Sequence, residues 1–516
     1  MNVSDPPPPD SSAPPGPQEQ DPQEEGPGES ARVRFFATFP SIMLPMFLAA
    51  IDQTIVATAL PAIAADLGEV ERVSWVVVAY LVAATIAAPV YGRLGDLLGR
   101  RKLLFVALGL FIVASLACAL APSILVLTVA RVAQGLGGGG LMTLSQALIG
   151  EAVPARERGR YQGYLACVFV SASTFGPVAG GWLTQYFGWK TVFSANIPLG
   201  LLAMAVATRL PRRSAAIPGG RLHFDVLGVI LFSGFIAPLL LALEQAQRLR
   251  LSALPWAAGL ATFAAFSLWL LLRQERVARV PLLPVSLLRQ PGIWHTDALA
   301  FFHGAYLVSL ITYLPIYLQV ARGAGPGQAG LLLLPLTMLI AVGSIATGRA
   351  MSRTGLGAIF PSFGMPAIAV LTVTLAFLIP HLSFRQIPFL FAALAVVCGT
   401  VMPVVQTTVQ FVAGRAQLGA ASATVQFSRS VGAAVGTALV GAVLFATLAA
   451  SDRETAQMFA AIVEMGPQAL AGLPAARVAV VQGEIAEAFR IAFLAIASFA
   501  AVGSVMAWTM PVRRIG

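Results

Sequence analysis

Long apolar segments follow one another along almost the whole chain, separated by short polar or basic connections. An apolar run of about 20 residues is long enough to cross the ~30 Å hydrocarbon core of a bilayer as a helix. A helix also satisfies its own backbone hydrogen bonds in lipid. The pattern predicts an all-α integral membrane protein with fourteen transmembrane helices. We place these helices near residues 35–64, 73–93, 103–121, 124–149, 161–183, 191–209, 225–245, 254–272, 295–320, 327–348, 358–380, 387–412, 420–449 and 486–511.

The composition favours a membrane protein and argues against a metalloenzyme. Of 516 residues, 57% are hydrophobic and 11% are charged, whereas soluble domains carry about 25% charged residues. The three cysteines lie within apolar runs and the four histidines are scattered, so neither a disulfide framework nor a metal site is indicated. No GxxxxGK[ST] phosphate-binding loop occurs. We expect a protein that is not an enzyme and has no cofactor, with energy from an ion gradient, a substrate gradient or a partner.

The positive charges define an orientation. With the N-terminus in the cytoplasm, cytoplasmic loops and tails hold 22 of the 33 basic residues, and outer loops hold eight. Cytoplasmic connections are the ones that carry an excess of lysine and arginine. We therefore predict a multi-pass protein of the plasma (inner) membrane with both termini in the cytoplasm. The basic residues are spread over many short loops, so no nucleic-acid partner is expected.

A short repeat suggests two related halves. Gly92 and Gly99 are seven residues apart at the cytoplasmic end of the second span, and Gly348 and Gly355 have the same spacing at the end of the tenth. An arginine follows the first glycine of each pair. The matched positions favour a transporter plan in which two six-helix halves are parallel repeats.

This repeat divides the chain into domains. We predict six-helix bundles over residues 35–210 and 291–516, with two inserted helices and their linkers over 211–290. Residues 1–34 are rich in proline and acidic side chains, and we expect them to form a disordered cytoplasmic tail. The second bundle contains the largest outer loop, 451–485, to which the sequence assigns no role.

An acidic residue lies deep in the first span. A charge at the depth of Asp52 costs about 3 kcal/mol on insertion scales, so we expect it to face a cavity and to have a partner. Arg131, in the fourth span, lies at a similar depth. A buried carboxylate beside an arginine can bind and release a proton as its hydration changes. A static structural ion pair is the alternative.

Other charged residues in the spans are weaker candidates. Glu244 and Glu151 lie near the ends of the seventh and fourth spans, where a carboxylate can simply be solvated. We retain Glu244 as a candidate proton-coupling acid. Arg429, inside the thirteenth span, can bond backbone carbonyls or contact a substrate.

Two glycine-containing patterns accompany these charges. The second cytoplasmic connection contains Gly92, Asp96, Gly99, Arg100 and Arg101. Its glycines permit a tight turn and close helix approach, and Asp96 can cap a helix or exchange partners between conformations. A basic loop that serves orientation alone is the alternative.

The second pattern lies along the fifth span. Its members are small residues or proline, and small residues four apart let helix backbones approach closely. Packing alone accounts for them. They are Gly163, Gly176, Pro177, Gly180 and Gly181.

In combination, these motifs resemble the major facilitator superfamily, and within it the fourteen-helix drug:proton antiporter family of the EmrB/QacA type. G-x-L-x-D-x-x-G-R-R matches from Gly92 to Arg101, and R-x-x-Q-G begins at Arg131. The first-helix motif is similar around Asp52. The fifth-helix glycines match the antiporter motif, with Ala172 where a further glycine is usual.

The resemblance implies roles for these residues. The loop motif would gate the cytoplasmic side, Arg131 would assist proton transfer, and the fifth-helix motif would mark antiport. Helices 1, 4, 9 and 12 would line a central cavity. Candidate substrate-cavity residues are Gln53, Gln134, Asn196, Tyr313, Gln406, Gln410 and Arg429.

The function expected from this resemblance is proton-coupled export of drugs or other small amphipathic molecules by alternating access. The expected partners are the substrate, protons and the lipid bilayer, and the protein is expected to be a monomer. Whether a periplasmic adaptor takes part is left open by the sequence. Export of an endogenous lipid, siderophore or metabolite is an alternative, as is a non-transporting membrane receptor or assembly partner.

Overall fold

The computed structural model describes residues 27–68, 72–211, 224–247, 254–278, 281–282, 285–451, 455, 458–459 and 474–515. Within these ranges the chain is helical apart from its connections. Fourteen helical segments there are long and apolar enough to cross a membrane. The predicted fold class, an all-α membrane protein with fourteen spans, is confirmed.

The N-terminal half contains six spans, of which the sixth is formed by two consecutive short helices, α6 and α7. Its helices are α1 (Pro27–Leu67), α2 (Trp75–Leu98), α3 (Arg100–Ala119), α4 (Ile124–Ala152), α5 (Arg158–Phe187), α6 (Lys190–Ser194) and α7 (Asn196–Ala207).

Two further spans, α8 (Val226–Gln247) and α9 (Leu254–Val277), come before the C-terminal half, and the short helix α10 (Val285–Leu288) leads into it. The C-terminal half again has six spans, and its fourth is formed by α14 and α15 together. Its helices are α11 (Pro291–Val320), α12 (Pro326–Thr354), α13 (Ile359–Leu378), α14 (Ile387–Cys398), α15 (Met402–Ala413), α16 (Leu418–Ser451) and α17 (Ala475–Trp508).

The ends of the first and last helices differ from the sequence expectation. Helix α1 already includes residues 27–34, which the sequence assigned to the disordered tail. Proline is compatible with a first helical turn because the N–H it lacks has no intrahelical acceptor there, which suits Pro27. Residues 1–26 lie outside the described residues. Much of the outer loop 451–485 also lies outside them, and its last residues form the first turns of α17.

The sequence repeat corresponds to matching turns in the two halves. Gly99 has φ +92° between α2 and α3, and Gly355 has φ +71° at the end of α12. Glycine adopts positive φ without the steric penalty that a Cβ imposes. We call the end of the bundle that carries these two turns the motif side, and the opposite end the far side.

Each half has its own hydrophobic core. In the N-terminal half α4 packs against α2 and α3, and α1 packs against α5. In the C-terminal half α11 packs against α16 and α17, and α13 packs against α17. Most of the buried apolar residues described in the second half form one continuous cluster.

The two inserted helices pack over the seam between the halves. Helix α8 contacts α9, and it also contacts α2 of the first half and α16 of the second. Phe232 on α8 is fully buried, and its ring centroid lies 5.3 Å from that of Phe427 on α16. Ile86 and Val90 of α2 belong to the same apolar cluster. The insertion therefore covers the α2–α16 contact on one flank.

The halves meet closely at the motif side. Helix α5 packs along α12, and α2 packs along α16. A Cβ at Gly163 would lie 2.8 Å from the Cα atom of Ile345, and one at Gly92 would lie 2.9 Å from the Cβ atom of Ala423. Such distances leave no room for a side chain, so glycine permits both contacts. The structure shows the motif side closed.

Candidate functional site

The centre of the candidate site is a buried ion pair between α1 and α4. Arg131 donates from Nη1 to Asp52 Oδ2 at 2.6 Å, and the two side chains are 1% and 0% exposed. Asp52 Oδ1 accepts from Gln134 Nε2 at 3.0 Å and from Asn196 Nδ2 at 2.7 Å. Three donors from α4 and α7 therefore compensate the carboxylate charge.

Arg131 makes further hydrogen bonds and aromatic contacts besides its bond to Asp52. Its Nε donates to the Val76 carbonyl at 3.1 Å, and Nη1 also donates to Gln134 Oε1 at 2.7 Å. The guanidinium carbon lies 4.2 Å from the ring centroid of Tyr80 and 5.8 Å from that of Phe193. A cation over an aromatic face is stabilised by the ring quadrupole. Arg131 can therefore remain in place when the charge on Asp52 changes.

Two of the residues proposed to line a substrate cavity belong to this network instead. Gln134 is fully buried and also donates to Ser115 Oγ at 2.9 Å. Asn196 is the first residue of α7 and is 1% exposed. In this closed conformation both amides orient Asp52 and are covered from solvent. Gln53, the neighbour of Asp52 on α1, is half-buried.

The glycine motif of α5 has two packing faces. Towards the motif side, Gly163 faces α12 across the seam. Further along, a Cβ at Gly176 would lie 2.9 Å from the Cβ atom of Thr54, and one at Gly180 would lie 2.9 Å from Cγ1 of Ile55. These glycines bring α5 against the turn of α1 that carries Asp52. Pro177 is exposed, and Gly181 has open space around it.

The remaining cavity candidates lie in the second half. Tyr313 is buried and donates to the Thr437 carbonyl at 2.8 Å, which ties α11 to α16. Gln406 is 4% exposed, and its Nε2 atom has no hydrogen-bond acceptor among the described residues. Gln410 donates from Nε2 to the Gln146 carbonyl at 3.0 Å and thereby joins α15 to α4 at the motif side. The Gln410 bond therefore links the two halves at the motif side in this conformation.

Arg429 and Glu244 are separate from the ion pair. Arg429 bonds Gln426 Oε1 at 3.2 Å, and its guanidinium lies 5.6 Å from the ring centroid of Phe169 on α5. This stack crosses between the halves about a third of the way along α5 and α16. Glu244 is partly buried near the end of α8, the inserted helix on the seam.

The second cytoplasmic connection forms an interhalf contact. Asp96 accepts from the backbone amides of Gly419 at 2.9 Å and Ala420 at 3.0 Å, in the first turn of α16. A carboxylate is favourable there because the first N–H groups of a helix lack intrahelical acceptors and the helix dipole is positive at that end. Arg100, the first residue of α3, pairs with Asp96 at 2.5 Å. Arg101 instead bonds the Thr208 carbonyl at 2.9 Å, within the first half.

Glu151 takes part in this contact, although the sequence suggested only a solvated end of helix. Its Oε2 atom lies 2.7 Å from Nη1 of Arg100. Arg100 therefore links Asp96 on α2 to Glu151 on α4 and orients the carboxylate towards α16. The sequence could not indicate this because the two acids are 55 residues apart along the chain.

Sequence reasoning also missed two buried titratable residues on α11. Asp297 is 7% exposed and His303 is 3% exposed. Both interrupt an apolar run, which is the signal that identified Asp52. No group of three or more metal-binding side chains is found in the part of the chain that the structure describes.

The fold and the buried ion pair together define a membrane transporter built from two six-helix halves. Comparison with a family model gives a match to the Major Facilitator Superfamily over residues 42–437. The chain therefore belongs to that superfamily. This places it among transporters rather than enzymes.

Characterised and uncharacterised relatives share much of the chain. An uncharacterized MFS-type transporter of Mycobacterium tuberculosis is 33% identical over 483 residues, which cover 92% of this chain and 69% of the relative. The multidrug transporter protein MdtP of Bacillus subtilis is 29% identical over 78% of this chain and 74% of its own length. The efflux pump dotC of Dothistroma septosporum is 34% identical over 63% of this chain and 57% of its own.

Solved structures share the fold at low sequence identity. The human organic anion transporter MFSD10 has a TM-score of 0.63 at 14% identity, covering 92% of this chain and 99% of that one. The proton:xylose symporter XylE has a TM-score of 0.58 at 14% identity, covering 93% and 97%. These likenesses concern the fold alone.

Proposed function

We propose that this protein is a proton-coupled antiporter of the plasma membrane that exports drugs or other small amphipathic molecules by alternating access. The observation that carries the proposal is the Asp52–Arg131 pair, which is buried in one half of a two-half transporter. The motif side is the cytoplasmic side in this proposal, in line with the excess of basic residues in its loops. Both termini then lie in the cytoplasm.

The ion pair supplies a switch that depends on protonation. A proton on Asp52 removes the charge that Arg131 compensates, and breaking a buried pair changes local stability substantially. Arg131 also contacts Val76 and Tyr80, and these contacts do not depend on the charge of Asp52, so protonation would loosen α1 rather than Arg131. Because Gly176 packs α5 against the turn of α1 that carries Asp52, that movement reaches the helix that lines the seam.

Alternating access requires that the proton and the substrate favour different states. A ligand shifts a conformational equilibrium only by its difference in affinity for the two states. The structure has the motif side closed, and in this proposal Asp52 exchanges its proton with the far side in that part of the cycle. Protonation of Asp52 from that side would favour the return, while the substrate would bind after the motif side opens.

The direction and the class of substrate are inferred from relatives. Two of them are named as a multidrug transporter and an efflux pump. Charged residues are sparse in the spans of this chain, which favours apolar or cationic amphipathic cargo. An endogenous lipid, siderophore or metabolite has the same general chemistry, and lipid and metabolite profiles of a deletion strain distinguish these cargoes from drugs.

The test is a reconstitution with a defined probe. Proteoliposomes with an acidic lumen receive external ethidium, and lumenal pH is followed with a trapped indicator. Antiport predicts that ethidium enters while protons leave, so the lumen becomes more alkaline on addition of the dye. The Asp52→Asn variant should fall to the rate of protein-free liposomes, because the amide cannot take up a proton.

Asp66→Asn is the matched control. Asp66 lies on the same helix, is exposed, and bonds Trp189 Nε1 at 2.8 Å. Its substitution should leave proton movement unchanged. Ethidium uptake that is equally fast without a pH gradient would contradict proton coupling. Proton movement that survives in Asp52→Asn would exclude Asp52 as the coupling residue. No dye movement under any condition, with the protein folded, would favour the receptor or assembly role.

A further inference from the structure

Asp297 is a second buried acid, and its surroundings differ from those of Asp52. It lies six residues from the start of α11, close to the motif side. Its Oδ1 atom accepts a hydrogen bond from Thr424 Oγ1 on α16 at 3.2 Å. Its Oδ2 atom is buried and has no hydrogen-bond partner among the described residues.

The contrast with Asp52 concerns charge compensation. Asp52 has a guanidinium and two amide donors, whereas Asp297 has one hydroxyl and no ion pair to a described residue. Burying an ionised carboxylate without a cation costs far more than burying a neutral carboxyl group. The closed structure therefore accommodates a charged Asp52 and a proton on Asp297.

The position of Asp297 connects it to the interhalf contact. Thr424 is one helical turn beyond Ala420, whose amide Asp96 occupies. At the same end of α11, a Cβ at Gly292 would lie about 3.0 Å from Val412 on α15. When α2 leaves the first turn of α16, water reaches the turn that carries Thr424. Hydration removes the main cost of ionising the carboxyl group.

We propose that Asp297 is a second proton-binding residue, which holds a proton while the motif side is closed and releases it to the motif side when opening hydrates the start of α11 and α16. This inference rests on the proposed proton-coupled function. It adds a second carboxyl in the other half of the molecule. It also places the carboxyl group of Asp297 at the motif-side end of the path that protons follow through the protein.

The charged groups on neighbouring elements do not substitute for a partner. Helix α11 packs against α10, α12, α15, α16 and α17. The nearest cation on α16 is five residues beyond Thr424 and is stacked on Phe169. The acidic, basic, histidine and tyrosine residues of these elements and their adjoining described segments are Arg289, His295, His303, Tyr306, Tyr313, Tyr317, Arg322, Arg349, Arg353, Arg415, Arg429, Arg477, Glu484, Glu487, Arg490, Arg513 and Arg514.

The test measures closure of the motif side as a function of pH, without substrate. Spin labels are placed through Ala155→Cys and Arg353→Cys, on opposite sides of the seam near the contact from Arg156 Nη2 to the Arg353 carbonyl. The three native cysteines are replaced by alanine. Distances are measured in lipid nanodiscs for four backgrounds: unmodified, Asp297→Asn, Asp52→Asn and the control Asp66→Asn.

The closed state binds one more proton at Asp297 than the open state, so rising pH must favour opening through this residue. Asparagine stays neutral at every pH, so the open-to-closed ratio of Asp297→Asn has no pH dependence from this position. The open-to-closed ratio of the unmodified protein, divided by that of Asp297→Asn, should therefore rise by about tenfold per pH unit where Asp297 ionises. Asp66→Asn should follow the unmodified protein.

The outcomes separate this proposal from the proposed function. A quotient that is constant with pH, while the unmodified protein still responds to pH through Asp52, overturns the role of Asp297 alone. An unmodified protein whose open-to-closed ratio is independent of pH overturns proton coupling as well. If Asp297→Asn does not fold, Thr424→Val replaces it. Loss of the hydroxyl donor should move the pH range of opening, and an unmoved range overturns the proposal.

Discussion

Asp52 is buried within membrane-spanning helices because polar and aromatic side chains replace water around the Asp52–Arg131 pair. Arg131, Gln134 and Asn196 bond the carboxylate, and Tyr80 covers the guanidinium. A buried pair is weak support for stability, because desolvation of both charges offsets their attraction. Removal of one member is nevertheless costly, since it leaves the other charge uncompensated.

This asymmetry gives a prediction at the residue scale. Asp52→Asn should destabilise the protein by about 3–5 kcal/mol, because Arg131 remains charged and buried. Adding Arg131→Gln should recover much of that loss, since neither charge is then present. Proton-coupled transport should stay absent in both variants. Thermal unfolding in detergent, arranged as a double-mutant cycle, measures the coupling.

If the loss of unfolding free energy in the double variant equals the sum of the losses in the two single variants, Asp52 and Arg131 do not stabilise each other. Recovery of transport together with stability would mean that the pair is structural only. That was the alternative left open by the sequence.

At the scale of elements, helix α5 packs closely against two different helices, α12 and α1. Its motif-side part packs along α12 in the other half, and its far-side part packs against α1. Small residues four apart allow helix backbones to approach closely, and in membranes this close packing drives helix association because the hydrophobic effect does not. Helix α5 thus connects the Asp52 turn directly to the seam.

The α1–α5 contact can be tested by substituting two glycines of the α5 motif. Gly176→Ala places a Cβ at 2.9 Å from Thr54 Cβ, so it should separate the helices, cost about 1–3 kcal/mol and lower ethidium–proton exchange. Gly181→Ala is the matched control, because nothing lies within 4 Å of its Cβ. Unfolding temperature and exchange rate are compared for both. Equal effects at the two positions would show that the α1–α5 distance is irrelevant.

At the scale of the whole molecule, the closed motif side depends on a few polar contacts over an apolar seam. Asp96 occupies the start of α16, Gln410 bonds the Gln146 carbonyl, and Arg100 holds Asp96 in position. Hydrogen bonds to charged groups contribute roughly 1.5–3 kcal/mol each. Loss of one such contact is therefore enough to change the populations of two conformations.

The corresponding prediction concerns Asp96→Asn. An amide offers one acceptor oxygen in place of two, so one of the amides of Gly419 and Ala420 loses its partner. The open-to-closed ratio, measured with the same pair of spin labels, should rise by about tenfold, equivalent to ~1.4 kcal/mol. Arg101→Gln is the control, because Arg101 bonds Thr208 within its own half. An unchanged distance distribution in Asp96→Asn would exclude this contact as a determinant of closure.

The sequence by itself determined the architecture. Apolar runs of membrane length require helices because lipid offers the backbone no hydrogen-bond partners, and fourteen such helices are present among the described residues. The spacing of the glycine pairs at 92–99 and 348–355 suggested two related halves, and the second glycine of each pair has positive φ. The depth of Asp52 in its span was also sufficient to nominate Arg131, since insertion of a charge requires a partner.

Only the tertiary structure decided which polar groups meet. Gln134 and Asn196 were assigned to a substrate cavity, yet they bond Asp52 because α4 and α7 converge on α1. Glu151 joins the motif-side contact across α2 and α4. Asp297 is isolated with Thr424 because α11 and α16 pack against each other at their second turns. The physical reason is that hydropathy fixes how deep a residue lies along its own helix, while rotation and partners depend on how separate helices pack.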